Sequence, residues 1–213
     1  HDRVDVSHED RARERWTGFV KKLTATKPRT VTIGVTGKYA HLRDAYASID
    51  KAVEHCSAHA GARVELKWIE TTEITQSNVA GQLAGLDAVI VPGGFGARGV
   101  EGKIACVRSC RETGLPYLGI CLGFQVAVIE FARNVLGLRD ASSTEFAAEC
   151  KEPVISELPE QKKIEGLGGT MRLGGQDVLL TPNSLASKLW GGATTIRERF
   201  RHRYEVEPAY IER

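Results

Sequence analysis

Apolar and polar positions along this chain change their period repeatedly, from the alternation typical of strands to the spacing typical of helices. Runs that are apolar or alternate in polarity predict four strands, at Val31–Val35, Arg63–Ile69, Leu86–Val91 and Pro116–Ile120. The last two are predicted to be buried. Helical spacing predicts three helices, at Asp44–His59, Gly102–Thr113 and Leu122–Leu136. Strands that alternate with helices form βαβ units, so we expect a parallel sheet with flanking helices and an active site beyond the carboxyl ends of its strands.

The two ends of the chain depart from this alternation. Residues 1–27 are rich in charge and carry one apolar stripe before Pro28, formed by Trp16, Phe19, Val20 and Leu23. We expect this segment to be a linker that includes a docked helix, followed by one domain over residues 28–213. After residue 150 the sequence changes to short strands and glycine turns, which predict a small antiparallel annex in an α/β fold.

Composition and charge argue against several classes of function. Lys and Arg number 29 and Asp and Glu 27, so no basic surface for nucleic acid is indicated. No apolar run is long enough to span a bilayer, and the first residues lack the pattern of a signal peptide. The five cysteines lack C-x-x-C pairs, which argues against a zinc site and favours a reducing, cytoplasmic compartment. The chain starts at His1 without an initiator Met, which suggests an excised or processed segment.

The most informative motif is Gly119-Ile120-Cys121-Leu122-Gly123, where a strand is predicted to become a helix. A side chain on such a sharp turn is lifted off the sheet, and the flanking glycines let neighbouring backbone approach. The N-terminus of the helix favours a thiolate through its dipole and its unpaired N–H groups. Cys121 is therefore a candidate nucleophile; the alternative is a small buried residue in a tight turn.

A second glycine motif, Pro92-Gly93-Gly94-Phe95-Gly96, follows the strand that ends at Val91. Successive glycines expose backbone N–H groups, and one of these could form an oxyanion hole with the N–H of Leu122. By itself the motif is more typical of a simple tight turn. Gly37-Lys38 after the first strand is not a phosphate loop, because Tyr39 replaces the Ser or Thr of that motif.

Several ordered motifs resemble the class I (triad) glutamine amidotransferase domain, and specifically that of the CTP synthase family. They are found at Gly37–Tyr46, Pro92–Ile104, Tyr117–Gln125, Ser143–Phe146, Gly168–Gly174 and Arg201–Val206. The resemblance extends from Trp16 to the end of the chain. It implies a flavodoxin-like parallel sheet with flanking helices and the small antiparallel annex.

The resemblance assigns roles to individual residues of this chain. Cys121 would attack the side-chain amide of glutamine, and Gly94 and Leu122 would donate the oxyanion N–H groups. Gly123, Phe124 and Gln125 would line the glutamine pocket, although Phe124 stands where many members have Met. Glu145 would bind the α-ammonium of the substrate and Arg203 its α-carboxylate, an assignment that suits their charges.

Partners and cofactors are likewise expectations from the family. Ammonia from L-glutamine would pass to an N-terminal synthase domain, absent from this chain, that aminates UTP to CTP with ATP and Mg²⁺. GTP would activate the glutaminase step allosterically, and the whole enzyme would be a homotetramer. No cofactor or metal is expected in this domain. Gln161–Gly166 is the segment where we expect a mobile lid.

One departure from the family lies at the C-terminal end. The family carries a His-Pro-Glu motif beyond the Arg201–Val206 region that supplies a general base, whereas this chain stops at Arg213. We do not expect His202 to replace it, so a chain that ends at Arg213 should be labelled at Cys121 yet turn over slowly. An alternative function is therefore a catalytically incomplete glutamine-binding module. A thiol hydrolase, the third hypothesis, explains the cysteine turn but not Glu145 or Arg203.

Overall fold

The computed structural model describes residues 6–38, 42–157 and 172–213 of the chain. The lid expected at Gln161–Gly166 and the first part of the Gly168–Gly174 motif lie outside these residues. The chain divides into two compact units, His1–Val126 and Ala127–Arg213. We describe each unit by itself.

The first unit alternates helices and strands as the sequence pattern predicts. Its elements are α1 (Val6–Thr24), β1 (Thr30–Gly37), α2 (Ala47–Ala60, after a 3₁₀ turn at Arg43–Tyr46), β2 (Arg63–Glu70), α3 (Val79–Leu83), β3 (Ala88–Val91), α4 (Val100–Thr113), β4 (Tyr117–Gly119) and α5 (Leu122–Asn134), the last of which continues into the second unit. The four strands pair in parallel in the order β2-β1-β3-β4. This is the flavodoxin-like order, so the predicted fold class is confirmed.

The core of the first unit lies around the two central strands, β1 and β3. Val35, Val89 and Val91 are fully buried, as expected for parallel strands that helices cover on both faces. The prediction that Pro116–Ile120 is a buried strand is wrong, because Leu118 is 56% and Ile120 40% exposed. Among the described strands, β4 lies at the edge of the sheet beside β3, a position that an apolar run does not reveal.

Helix α1 packs on α2 through one aromatic side chain. The ring of Phe19 lies 5.1 Å from the ring of His55 and 6.0 Å from that of His59. Trp16 lies on the same apolar stripe but is 67% exposed. Phe19 therefore makes the ring contacts of this stripe with α2. The helix ends at Thr24, ahead of Pro28.

The second unit contains strands, as the sequence texture predicts, but two of them have eight residues each and are not short. Its remaining elements are β5 (Ala141–Ser143), β6 (Glu152–Glu157), β7 (Arg172–Leu179), α6 (Leu185–Leu189), β8 (Thr195–His202) and β9 (Tyr204–Val206). One sheet has the order β5-β6-β9, with β6 antiparallel to β9, and the other pairs β7 with β8 antiparallel. None of the helices in the described ranges has the length and apolar character needed to cross a membrane.

Candidate active site

The turn between β4 and α5 carries Cys121 in an unusual backbone conformation. Its φ angle is +54°, in the left-handed region that residues other than glycine rarely adopt, and its side chain is exposed. The turn is tight on both sides. A Cβ on Gly119 would lie 2.7 Å from the backbone of Gly123, and a Cβ on Gly123 would lie 1.9 Å from the carbonyl oxygen of Val91. Only glycine fits at either position, so the two glycines fix the sharp strand-to-helix turn.

The Pro92–Gly96 loop lies directly beside this turn, because β3 and β4 are neighbours and Val91 pairs with Gly119. A Cβ on Gly93 would lie 3.3 Å from Cβ and 3.8 Å from Sγ of Cys121. A Cβ on Gly94 would lie 3.5 Å from Cδ2 of Leu122. The structure therefore brings together the two glycine motifs that the sequence separates.

Backbone N–H groups of both segments differ in whether they are already bonded within the protein. At the start of α5, the N–H of Gly123 donates to Ile120 O (2.9 Å) and that of Gln125 to Cys121 O (3.1 Å). Within the described residues, the N–H groups of Gly94 and Leu122 donate to no protein acceptor. These two are the groups expected to form an oxyanion hole. Of the expected pocket residues that follow, Gln125 is buried and Phe124 is 53% exposed.

Sequence reasoning missed a buried lysine beside this site. Lys103 on α4 is 3% exposed, and a Cβ on Gly94 would lie 3.8 Å from its Nζ. Burial first, and then the charge of Lys38, lower the pKa of Lys103 to about 8, although Cys121 and other acidic groups act in the opposite direction. The signal was present in the sequence, because Lys103 interrupts the apolar stripe of Val100, Ile104 and Val107 on α4.

A second lysine ties the end of β1 to the glycine loop. The Nζ of Lys38 donates to the carbonyl oxygen of Phe95 and lies 4.9 Å from the centre of its ring. Arg98 in turn donates to the carbonyl oxygen of Lys38 at 2.8 Å. The Gly37-Lys38 pair, rejected as a phosphate loop, thus contacts the loop that flanks Cys121.

The remaining cysteines differ from Cys121 in their surroundings. Cys106 and Cys110 are almost fully buried on α4, and burial raises their pKa values to about 12 and about 11. Burial also raises the pKa of Cys150, whereas Cys56 is exposed on α2. In the described part of the chain, no three His, Cys, Asp or Glu side chains are grouped to hold a metal ion.

Glu145 and Arg203 lie in the second unit, at one end of the β5-β6-β9 sheet. Glu145 follows β5, and its N–H donates to Ser143 Oγ at 3.2 Å. Arg203 is exposed and directly precedes β9, whose Tyr204 pairs with Glu157 at the end of β6. Because Ser143 pairs with Ile155 near that same end, one strand separates the two opposite charges. His202, the neighbour of Arg203, packs its ring 5.9 Å from that of Phe200.

Comparison with known proteins adds independent findings. The family model for glutamine amidotransferase class-I matches residues 41–213. CTP synthase of Archaeoglobus fulgidus is 48% identical over 202 residues, 95% of this chain, and that of Rubrobacter xylanophilus is 49% identical over 93% of it. The chain spans only 37% and 36% of these two relatives. The solved glutaminase domain of Trypanosoma brucei CTPS with bound acivicin is 37% identical, with a TM-score of 0.79 over 85% of this chain and 70% of that one.

Proposed function

This chain belongs to the class I glutamine amidotransferase family, and from that premise we propose that it hydrolyses L-glutamine through Cys121 as the glutaminase domain of a CTP synthase. The observation that carries the proposal is the left-handed Cys121 turn packed against the Gly93-Gly94 loop. That arrangement presents an exposed thiol beside two backbone donors, as acyl transfer from an amide requires.

In the first step, the thiolate of Cys121 forms a bond to the side-chain carbonyl carbon of glutamine. The electron pair of the C=O bond moves to its oxygen, which the N–H groups of Gly94 and Leu122 stabilise as an oxyanion. One such donor typically contributes about 3 kcal/mol in the transition state. Both donors belong to backbone that the two glycine motifs hold in place, so little reorganisation accompanies the reaction.

In the second step, the C–N bond breaks, and the leaving nitrogen takes up a proton and departs as ammonia. The product is a thioester between Cys121 and the glutamyl group. Water then adds to the thioester, the C–S bond breaks, and glutamate leaves with regeneration of the thiol. Proton transfer in both steps belongs to the histidine–glutamate pair that the family resemblance implies.

Substrate selection rests on the two charges of the second unit. Glu145 binds the α-ammonium of glutamine and Arg203 its α-carboxylate, the latter through a planar, bidentate contact. Two observations support these assignments: both residues lie at one end of the β5-β6-β9 sheet, and their charges are opposite. Gly123, Phe124 and Gln125 line the pocket for the side chain of the substrate.

For the whole protein, we propose that the ammonia passes to a synthase domain that aminates UTP to CTP. ATP and Mg²⁺ act in that domain, and the glutaminase step needs no cofactor. GTP activates glutamine hydrolysis, and the enzyme works in the cytoplasm as a homotetramer. The support for these points is the family membership of the chain and its identity to curated CTP synthases.

The test of the glutaminase proposal is site-selective labelling with acivicin, which the Trypanosoma brucei relative binds. Peptide mapping should find Cys121 modified ahead of the other four cysteines, and glutamine in excess should protect it. The matched control is Cys56, the other exposed thiol of the first unit. Cys56→Ala should leave labelling unchanged, whereas Cys121→Ala should abolish it. Equal modification of Cys56 and Cys121, or no protection by glutamine, would contradict the proposal.

A further inference from the structure

Lys103 is a buried cation that the mechanism above does not use. We propose that it is a positioning residue of the glutaminase step, whose ammonium group lies behind the Gly94 loop and favours the thiolate form of Cys121. The inference rests on the proposed function, because it gives Lys103 a role through the proposed nucleophile. It acts through Cys121 and the loop and is not assigned a contact with glutamine.

The first turn of α4 holds Lys103 in a fixed place. A Cβ on Gly102 would lie 2.0 Å from the carbonyl oxygen of Thr71, and one on Gly99 would lie 2.7 Å from Thr71 Oγ1. The start of the helix is therefore pressed directly onto the segment that follows β2. From this anchored turn the side chain of Lys103 extends to Gly94, so its charge is delivered to the glycine loop at a defined position.

Charged and titratable groups from several elements face the ammonium of Lys103. They are Lys38 at the end of β1, Glu70 at the end of β2, Cys106 on α4 and Cys121 in the β4–α5 turn. Cys106 stays a neutral thiol at physiological pH, because burial raises its pKa to about 12. Lys38 disfavours the ammonium form of Lys103, whereas Glu70 and Cys121 favour it.

This placement explains an otherwise costly choice of residue. Burial of an ammonium group is unfavourable, and an apolar residue at position 103 would complete the stripe of α4. Lys103 is itself buried, so water screens its charge less than it screens the charge of an exposed lysine. A lysine here stabilises negative charge on Cys121 before the reaction and near Gly94 during it.

The test measures the alkylation of Cys121 by iodoacetamide against pH, in a Cys56→Ala background. Iodoacetamide is small and neutral, so its rate reports the thiolate fraction without the glutamine pocket. For Lys103→Met we expect a rate at pH 7 at least about five-fold below that of the parent chain, because the stabilising charge is gone. Above pH 9.5 we expect the two rates to agree within about two-fold, because Lys103, whose pKa is lowered to about 8, is then neutral in the parent chain as well.

Two further variants separate this effect from general damage. Lys51→Met removes an exposed lysine paired with Glu54 and should leave the profile unchanged. Lys103→Gln should reproduce the loss at pH 7 with a polar side chain, and urea unfolding verifies that each variant is folded. A pH profile of Lys103→Met or Lys103→Gln that coincides with that of the parent chain overturns the inference. Failure of acivicin to label Cys121, with the iodoacetamide profile intact, would instead count against the glutaminase assignment.

Discussion

Close backbone packing forms the cysteine turn of the first unit. In the second unit, the two charged residues expected to bind the substrate, Glu145 and Arg203, lie at the ends of strands. Around Cys121 the structure depends on close approaches, of which the tightest is the 1.9 Å between a Cβ on Gly123 and the oxygen of Val91. Glu145 and Arg203 follow and precede short strands and are half-buried and exposed, respectively. The cation of the first region, Lys103, is by contrast 3% exposed.

The two regions should therefore respond differently to substitution. In the cysteine turn, reactivity depends on how the backbone packs, whereas at Arg203 the expected role does not depend on packing. A substitution in the cysteine turn changes the packing of the sheet, so stability and reactivity should fall together. A substitution at Arg203 should remove the proposed contact with the substrate and leave the fold unchanged.

The largest effect should come from Gly123→Ala. Its methyl group would overlap the carbonyl oxygen of Val91 in a central strand, and we expect the free energy of unfolding to fall by about 4 kcal/mol, with loss of Cys121 labelling. Urea denaturation measures the change. The matched control is Gly81→Ala in helix α3, where a Cβ meets nothing within 4 Å. Gly81→Ala should be neutral or slightly stabilising, and equal effects of the two substitutions would refute this account of the turn.

Arg203→Ala should weaken glutamine binding by on the order of 2–4 kcal/mol, because it removes the charged partner of the α-carboxylate. The unfolding free energy should change little, since Arg203 is exposed. Calorimetric titration with glutamine gives the affinity, and Arg199→Ala, an exposed arginine on β8, serves as the control. Glu145→Ala should behave like Arg203→Ala through the α-ammonium. Unchanged glutamine affinity in the Arg203 variant would remove that residue from the site.

Lys103→Met should change the pH dependence of stability. The pKa of Lys103 is lowered to about 8, so between pH 8 and its unfolded value the unfolded chain binds more protons and this residue makes stability rise with pH. The contribution of Lys103 to the free energy of unfolding is complete at high pH, where the side chain is neutral, and is lost as pH falls through 8. The stability advantage of Lys103→Met over the parent chain should therefore shrink by about 2 kcal/mol from pH 7 to pH 10. If the stability advantage of Lys103→Met did not change with pH, burial would not disfavour the charged form of Lys103.

The smallest effect concerns the backbone at Cys121 itself. Its φ of +54° strains any residue except glycine, so Cys121→Gly should be more stable than Cys121→Ala by about 1 kcal/mol. Cys56 in helix α2 provides a control of opposite sign. There the glycine variant should be less stable than the alanine variant by about 1 kcal/mol, because glycine disfavours helix. The same order of stability at both positions would mean that the turn is not strained.

Local patterns in the sequence were enough to predict that the two glycine motifs lie side by side. Two glycine motifs after two predicted strands implied neighbouring turns, and β3 and β4 are indeed adjacent. Glu145 and Arg203 are isolated polar residues far apart in the chain, so only the family resemblance pointed to them. Lys103 was overlooked because its neighbours form an apolar stripe of ordinary appearance.

Errors in the fold prediction have physical causes. The three residues of β4 are as apolar as those of a central strand, so periodicity could not show that it lies at the sheet edge. Helix α3 has only five residues, too few for helical spacing to be detected. The alternation of strands and helices predicted a parallel sheet, whereas its flavodoxin-like order came from the family resemblance.

The left-handed conformation of Cys121 also constrains how this domain can diverge. A lineage that no longer needs the thiol gains stability by replacing Cys121 with glycine, while serine or alanine would retain the strain. Gly119 and Gly123 stay under selection in such a lineage, since the turn still has to fit against Val91. Glycine at this one position, between two retained glycines, would therefore be the signature of a relative that has lost the chemistry and kept the fold.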